Sequence, residues 1–224
     1  MKRRRLLFAR IIVTGGPTRE WLDPVRYISN ASSGKMGLSL VKRAAGYSDD
    51  VVFIHGPLSV SYGISGFEDV PVESTVEMRD AVLSRLCPGA LLVMAAAPAD
   101  YMPVRKEERK IKKGQDRITI ELVKTPDILK AVREKKINDN IPMTVVGFAA
   151  ETNDAVAYGR GKLSDKGLDA ICVNDLTRKG AGFGIDTNII TMLFPDGSAR
   201  ELPLMSKDDA AEEIFKAVIE HRSS

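Results

Sequence analysis

Five short apolar runs, rich in β-branched residues and lacking a polar alternation, punctuate the chain: "ARIIVT" at 9–14, "VVFIH" at 51–55, "ALLVMAA" at 90–96, "TVVGFA" at 144–149 and "AICVN" at 170–174. Runs of this length that are apolar on both sides read as strands buried on both faces of a sheet. Amphipathic patterns near 33–46, 75–86, 126–137 and 152–168 lie between them. Strand and helix in alternation predict an α/β, Rossmann-like, open and mostly parallel sheet with helices on both faces. With 44% hydrophobic residues in 224, the chain can bury a full core, and residues 1–224 are read as one domain.

Two segments break the alternation. In "RKIKKGQDRITIELV", 109–123, a Gly-Gln-Asp turn signal separates two short extended runs, and Ile118, Ile120 and Leu122 alternate with polar residues. The expectation is a hairpin arm, with an arm or flap spanning about 101–123. In "NIITMLFPDGSARELPL", 188–204, a Pro-Asp-Gly turn separates two strands, after which Ser206 precedes Asp208 and Asp209 as the cap of a last helix.

Several classes of function are disfavoured. The 33 basic and 30 acidic side chains leave a formal charge of +3, too balanced for a nucleic-acid footprint. The basic run at 2–5 reads as a solvated tail, and Arg10 interrupts the apolar start, so no signal peptide is expected. No apolar run approaches the roughly 18 residues that span a bilayer. Cys87 and Cys172 have no CxxC or histidine companions at ligand spacing, so free thiols and a cytoplasmic location follow. Of the two histidines, His221 lies in the C-terminal tail and His55 at a strand end reads as structural; neither has a nucleophile partner for a hydrolytic triad.

In an open α/β sheet, ligands gather beyond the carboxyl ends of the strands. Those positions are Gly15-Gly16, His55-Gly56, Ala96 to Asp100, Phe148 to Glu151 and Asn174-Asp175, and three motifs stand out in the chain, "TGGPTRE" at 14–20, "NASSGKMG" at 30–37 and "MAAAPADY" at 94–101. Gly15 and Gly16 serve either turn geometry or close approach of a ligand, and the spacing is not that of a GxGxxG dinucleotide site. In "NASSGKMG" a serine is expected to cap a helix through Met36, Leu38, Leu40 and Val41, whose free N–H groups attract an anion. Met36 stands where a Walker loop needs Ser or Thr, so this is no P-loop. Asn30, beside that cradle, could hydrogen-bond a reacting carbonyl. Asp100 is either a turn starter or a ligand to ribose, base or Mg²⁺. Lys110, Lys112 and Lys113 are either solvated or part of a flap that meets a triphosphate. Lys162 and Lys166 share a helix face, which with Arg160 could clamp phosphates. "KTPDIL", 124–129, is read as a Thr125 cap with Pro126 in a helix's first turn.

Together, "GGPTREWLDPVRYISNASSGKMG", "AAAPADYMP", "KIKK", "TPDIL", "GFAAET" and "KLSDKGLDAICVND" resemble the phosphopantothenoylcysteine synthetase family, over about residues 10–195. The resemblance implies a homodimeric ligase that joins 4′-phosphopantothenate to L-cysteine. It would use CTP and Mg²⁺, passing through an acyl-cytidylate and releasing pyrophosphate; eukaryotic relatives use ATP. Carried over by motif, Asn30 corresponds to the asparagine that holds the acyl-nucleotide, and Lys110 to the flap lysine that helps form it. Met94, Ala95, Ala96, Asp100, Pro126, Asp127, Ile128, Leu129, Phe148, Lys162 and Lys166 correspond to the nucleotide site. Gly15, Ser33, Gly34 and Gly37 correspond to the phosphate region, the resemblance assigns no metal ligands, and the arm around 101–123 takes part in dimerisation.

Two departures stand out. Pro98 occupies the place where the bacterial pattern has valine, removing a backbone donor. The flavin-dependent decarboxylase half that usually precedes this domain is missing, which implies a stand-alone synthetase or an excised domain, no flavin, and a separate decarboxylase as a partner. The rival expectation is a Rossmann-like nucleotide-binding scaffold without turnover.

Overall fold

The computed structural model describes residues 7–63, 65–112, 117–178, 182 and 184–223. In chain order the elements are β1 (Ile11–Gly15), β2 (Arg19–Trp21), β3 (Tyr27–Ser29), α1 (Lys35–Ala44), β4 (Val51–His55), β5 (Glu68–Pro71), α2 (Thr75–Leu83), β6 (Leu91–Met94) and β7 (Tyr101–Pro103). There follow β8 (Leu122–Lys124), α3 (Ile128–Asn138), β9 (Thr144–Glu151), α4 (Ala155–Lys166), β10 (Ala170–Asp175), β11 (Thr187–Leu193), β12 (Ala199–Ser206) and α5 (Lys207–Ser223).

Each of the five apolar runs forms a strand of one eight-stranded sheet, ordered β12-β11-β10-β9-β6-β1-β4-β5. The ladders from β10 through to β5 are parallel, and β11 and β12 complete the sheet antiparallel. The pleat sends successive side chains to opposite layers. Ile11 and Val13 meet Leu40 and Val41 of α1 and Ile214 and Phe215 of α5. Ile12, between them, faces the layer holding Met78 of α2, Val132 of α3 and Leu163 of α4. Helices therefore cover both faces, and the Rossmann-like expectation holds. The chain leaves β1 for β4 on one side and enters β6 on the other, so β1 and β6 flank the switch point where loops diverge.

The 188–204 reading also holds: β11 and β12 pair antiparallel around the Pro-Asp-Gly turn. Ser206 Oγ accepts from the Asp209 N–H at 3.1 Å and donates to the Asp209 carboxylate at 2.6 Å, closing the start of α5. His55 is structural, buried between Phe53 and Asp69, with its ring nitrogens 2.8 Å from the Gly56 carbonyl and 3.1 Å from the Asp69 carboxylate.

Three local readings need correction. No serine caps α1: the N-cap is Gly34, at φ 78° and without a side-chain hydrogen bond. A Cβ there would fall 2.2 Å from Leu58 Cδ2, so only glycine makes this turn. Neither does Thr125 cap α3. Its hydroxyl donates to the Ala99 carbonyl at 2.6 Å, and Asp127, accepting from the Lys130 N–H at 3.0 Å, is the cap, leaving Pro126 outside the helix. Finally, the arm's paired strands are 101–103 and 122–124, not the two halves of 109–123. Ladder pairing stops near the base because 107–111 is held elsewhere. The Glu107 N–H donates to the Leu22 carbonyl at 2.9 Å, and Ile111 is gripped by Asp23 and Arg26. The Gly-Gln-Asp turn, Lys113 and the basic run at 2–5 lie outside the described residues.

Candidate active site

The loops that follow β1 and β6 are tied together by buried polar contacts. Thr14 Oγ1 accepts from the Ala96 N–H at 3.1 Å, Thr18 Oγ1 accepts from the Ala99 N–H at 2.9 Å, and the Ala97 N–H donates to the Gly16 carbonyl at 2.9 Å. Buried Glu20 accepts from the Thr75 N–H and hydroxyl, at 2.9 and 2.8 Å, at the start of α2, where helix and carboxylate attract. A rigid floor of small residues results, and a cleft of two adjoining chambers opens above it.

The first chamber, about 540 Å³, lies between the 96–101 loop, the start of α3 and one face of α4. Met94, Ala96, Ile128, Leu129, Phe148, Leu168 and Ile171 give it apolar walls, and Asp100, Lys124, Asp127, Lys162 and Lys166 a charged rim. Its size and lining suit a flat heterocycle with a few orienting polar groups. Lys162 and Lys166 do share a face here, each matched with a carboxylate: Lys162 Nζ lies 2.6 Å from Glu151, and Lys166 pairs with Asp127. Burial would raise the Asp127 carboxyl, but Lys166 and the Lys130 N–H outweigh it and hold it below the ordinary range. Arg160 does not join this face; it is turned to the Gly197 carbonyl, 3.0 Å away, in the β11–β12 turn.

The second chamber, about 430 Å³, shares Ala96, Pro98, Asp100, Phe148 and Lys162 with the first. It runs from Asn30 along Ser33, Gly34 and Gly37 at the start of α1, past Ala95, to Asn174, Asn188 and Lys207. Asn30 donates its side-chain N–H to the Pro98 carbonyl at 2.9 Å, with a longer contact of 3.3 Å to Ala97, and its Oδ1 has no hydrogen-bond partner among the described residues. Pro98 therefore serves through its carbonyl, while the neighbouring N–H groups of Ala97 and Ala99 hold the loop.

The cleft thus brings together every expected nucleotide and phosphate residue except Gly15, and it gathers Asn30 with them. Gly15 lies under α1 instead: a Cβ on it would fall 3.2 Å from Gly37 Cα, so the two glycines let strand and helix backbones touch. Lys110 lines neither chamber. It is exposed on the arm beside a separate cavity with Leu22, Arg105 and Glu121. Glu151 lies in the stretch after an apolar run where a ligand is expected, but its pairing with Lys162 is not legible in the sequence. Asn188 and Lys207 escape such a reading altogether, because their place in the cleft depends on antiparallel β11 returning beside β10. Asn188 is marked only by its polarity beside an apolar run, and Lys207 only by its place after a serine in a capping pattern.

An open, mostly parallel sheet with its cleft at the strand switch point defines the class: a Rossmann-like α/β domain whose cleft lies across the β1 and β6 loops. Within that class the chain belongs to the family of the DNA/pantothenate metabolism flavoprotein C-terminal domain, whose family model matches residues 6–221. It is 45% identical over 208 residues to the coenzyme A biosynthesis bifunctional protein CoaBC of Bacillus subtilis, covering 93% of this chain and 50% of that protein. With the protein of the same name from Vibrio cholerae it shares 43% identity over 217 residues, covering 96% and 53% of the two. The solved C-terminal domain of a coenzyme A biosynthesis bifunctional protein CoaBC superposes with a TM-score of 0.78 at 33% identity, covering 98% of each chain. The resemblance read from the motifs is borne out, and the chain spans about half the length of the curated relatives it matches. Among the described residues no helix is long and apolar enough to cross a membrane.

Proposed function

We propose that the protein is a cytoplasmic, homodimeric phosphopantothenate–cysteine ligase that activates 4′-phosphopantothenate with CTP. The observation that carries this reading is the two-chamber cleft, which joins an apolar slot for a base to a cationic channel passing Asn30. A carboxylate is a poor electrophile, and transfer of a cytidylyl group converts its oxygen into a leaving group. In the first step the substrate carboxylate attacks the α-phosphorus and pyrophosphate leaves. In the second the cysteine amine attacks the acyl carbon and CMP leaves.

The chain's residues divide this work. Phe148 and Leu129 hold the base, with Asp100 and Lys166 reading its edge and ribose. Ser33, Gly34 and Gly37 receive phosphate oxygens, and the cations of the second chamber favour a polyanion. Asn30, its N–H spent on Pro98, keeps its oxygen for an N–H of the intermediate or of the incoming amine. Lys110 acts from the arm, carried to the cleft as the dimer's arms close over it. Among the described residues no three of His, Cys, Asp and Glu are grouped as a metal site. Mg²⁺ bound with CTP would offset the charge of its phosphates. A separate decarboxylase would consume the product.

The direct test is pyrophosphate release with 4′-phosphopantothenate and Mg²⁺, titrating CTP and ATP in parallel. The reading expects a strong preference for CTP. Equal use of both, or a preference for ATP, would overturn the nucleotide assignment, and release with neither would leave a nucleotide-binding scaffold as the better account.

A further inference from the structure

We infer that Lys207 anchors a pyrophosphate-binding subsite at the far end of the second chamber, where the leaving group of the proposed reaction is held. The name of the anion rests on that reading; the case for an anion site comes from the residues themselves.

Lys207 is the first residue of α5 and only 7% exposed. Its position is fixed by the Ser206–Asp209 closure of the helix start. The ammonium donates to the Thr187 carbonyl at 3.1 Å and to Asn188 Oδ1 at 2.9 Å, which leaves one of its three N–H bonds free. Among the described residues no carboxylate is within ion-pair distance of it. The nearby Asp186 carboxylate is taken by Lys35, at 2.6 Å. A buried cation without a counter-charge is costly, and an anion arriving beside it recovers that cost. Burial and the charge of Lys35, against a smaller opposing pull from Asp186, bring the ammonium down to about 8, so it remains mostly charged at neutral pH.

The surroundings point the same way. Cys172 on β10 and Ile190 on β11 face the core beneath α1 and α5. Two residues further toward the cleft, on the same faces, stand Asn174 and Asn188. Asn188 is held by Lys207 and by Met36, to whose sulfur its N–H donates at 3.3 Å. Asn174 is 8% exposed and its Oδ1 is buried without a hydrogen-bond partner, so the chamber offers an acceptor to a ligand's water or hard cation beside the lysine donor. A second cavity of about 530 Å³ lies on the other side of Lys207. Lys207 borders both cavities, but Asn188, which accepts from the ammonium, lines only the Asn30 chamber.

In the cytidylyl transfer a carboxylate oxygen bonds to the α-phosphorus while the bond between that phosphorus and the bridging oxygen to the β-phosphorus breaks. Pyrophosphate departs with the bonding pair and no proton need move. Lys207 meets the charge that develops on this leaving group.

The test is calorimetric titration of inorganic pyrophosphate with Mg²⁺ into the full chain and its variants, each checked for cooperative thermal unfolding. Lys207→Met should weaken binding about 10- to 100-fold, the effect of losing one charged hydrogen bond. Asn188→Ala, which releases the ammonium's aim, should weaken it less and carries the test if the first variant does not fold. Lys42→Met, on the other cavity, should bind as the parent. Unchanged pyrophosphate affinity in Lys207→Met and Asn188→Ala, or no binding by the parent, would overturn the subsite. Lys207-dependent binding in a protein that makes no ligation product would uphold the subsite and sink the ligase reading, and ligation with Lys207-independent binding would do the reverse.

Discussion

Replacing Gly37 with alanine separates stability from activity. Gly37 is the third residue of α1, and a Cβ on it would sit 2.7 Å from Gly15 Cα, 3.1 Å from the Thr14 carbonyl oxygen and 3.2 Å from Phe53 Cε2. Two of these atoms are backbone of the central strand, and Phe53 is fully buried against His55, so none yields easily. Relief to an ordinary carbon contact of about 3.5–4.0 Å requires α1 to lift by roughly 1 Å. Overpacking of this kind costs about 1–3 kcal/mol, and the better helix propensity of alanine returns about 1 kcal/mol. The net loss is about 1 kcal/mol, a fall in Tm of roughly 2–4 °C for a domain of this size. The same displacement moves Ser33 and Gly34 away from the phosphates, and a 1 Å error in positioning can cost about 100-fold in rate. Thermal unfolding by circular dichroism, run beside pyrophosphate release, should show a small stability loss and a large activity loss. A variant that releases pyrophosphate at the parent rate would refute the close contact of α1 with β1, or the role of its first turn.

Other consequences follow from single groups. Asn30→Asp should still release pyrophosphate but fail to pass the intermediate to cysteine, whereas Lys110→Gln should suppress the intermediate itself; a normal pyrophosphate burst in the latter removes Lys110 from the first step. Asp23, fully buried, accepts from the Arg26 guanidinium at 2.5 Å and from the N–H groups of Val25, Arg26 and Ile111. Arg26, against the opposing effect of burial, together with those N–H groups holds its carboxyl far below the usual range. With a depressed folded pKa, its stabilisation is present above the unfolded value of about 4 and is lost as pH falls below it. Protection of the arm base around Ile111 from hydrogen exchange should therefore fall in acid, and Asp23→Asn should be weakly protected at neutral pH and insensitive to acid. Burial pushes the Cys172 thiol well above its ordinary value, while Cys87 is half-buried. At pH 8 iodoacetamide should modify Cys87 first and reach Cys172 only on unfolding; equal rates would contradict the packing of β10.

Much of the fold was legible because burial on both faces leaves its mark on composition: the runs at 51–55 and 170–174 contain the strands β4 and β10 almost to the residue. Patterns of that kind record environment, and the sheet order follows from short connections. Caps were less legible. A serine of "NASSGKMG" and Thr125 look like caps from local chemistry, but the first gives way to Gly34, whose left-handed turn leaves no room for a Cβ beside Leu58, and the second is drawn to the Ala99 carbonyl. The two-chamber site was readable where motif and strand end coincide, at Asn30, Asp100 and Phe148. It was not readable at Lys207, which follows a serine in a capping pattern and looks like any solvent-facing lysine. Its burial is decided by β11 folding back beside β10, across contacts that local periodicity does not encode. Arg160 failed for the converse reason: sharing a short stretch with Lys162 and Lys166 did not place it on their face.

The most direct test of the central claim is mass detection of 4′-phosphopantothenoylcysteine after incubation of the purified protein with 4′-phosphopantothenate, L-cysteine, CTP and Mg²⁺, with each component omitted in turn. The account predicts product only in the complete mixture, accompanied by equimolar CMP and pyrophosphate. Bound CTP without product in that mixture would contradict it.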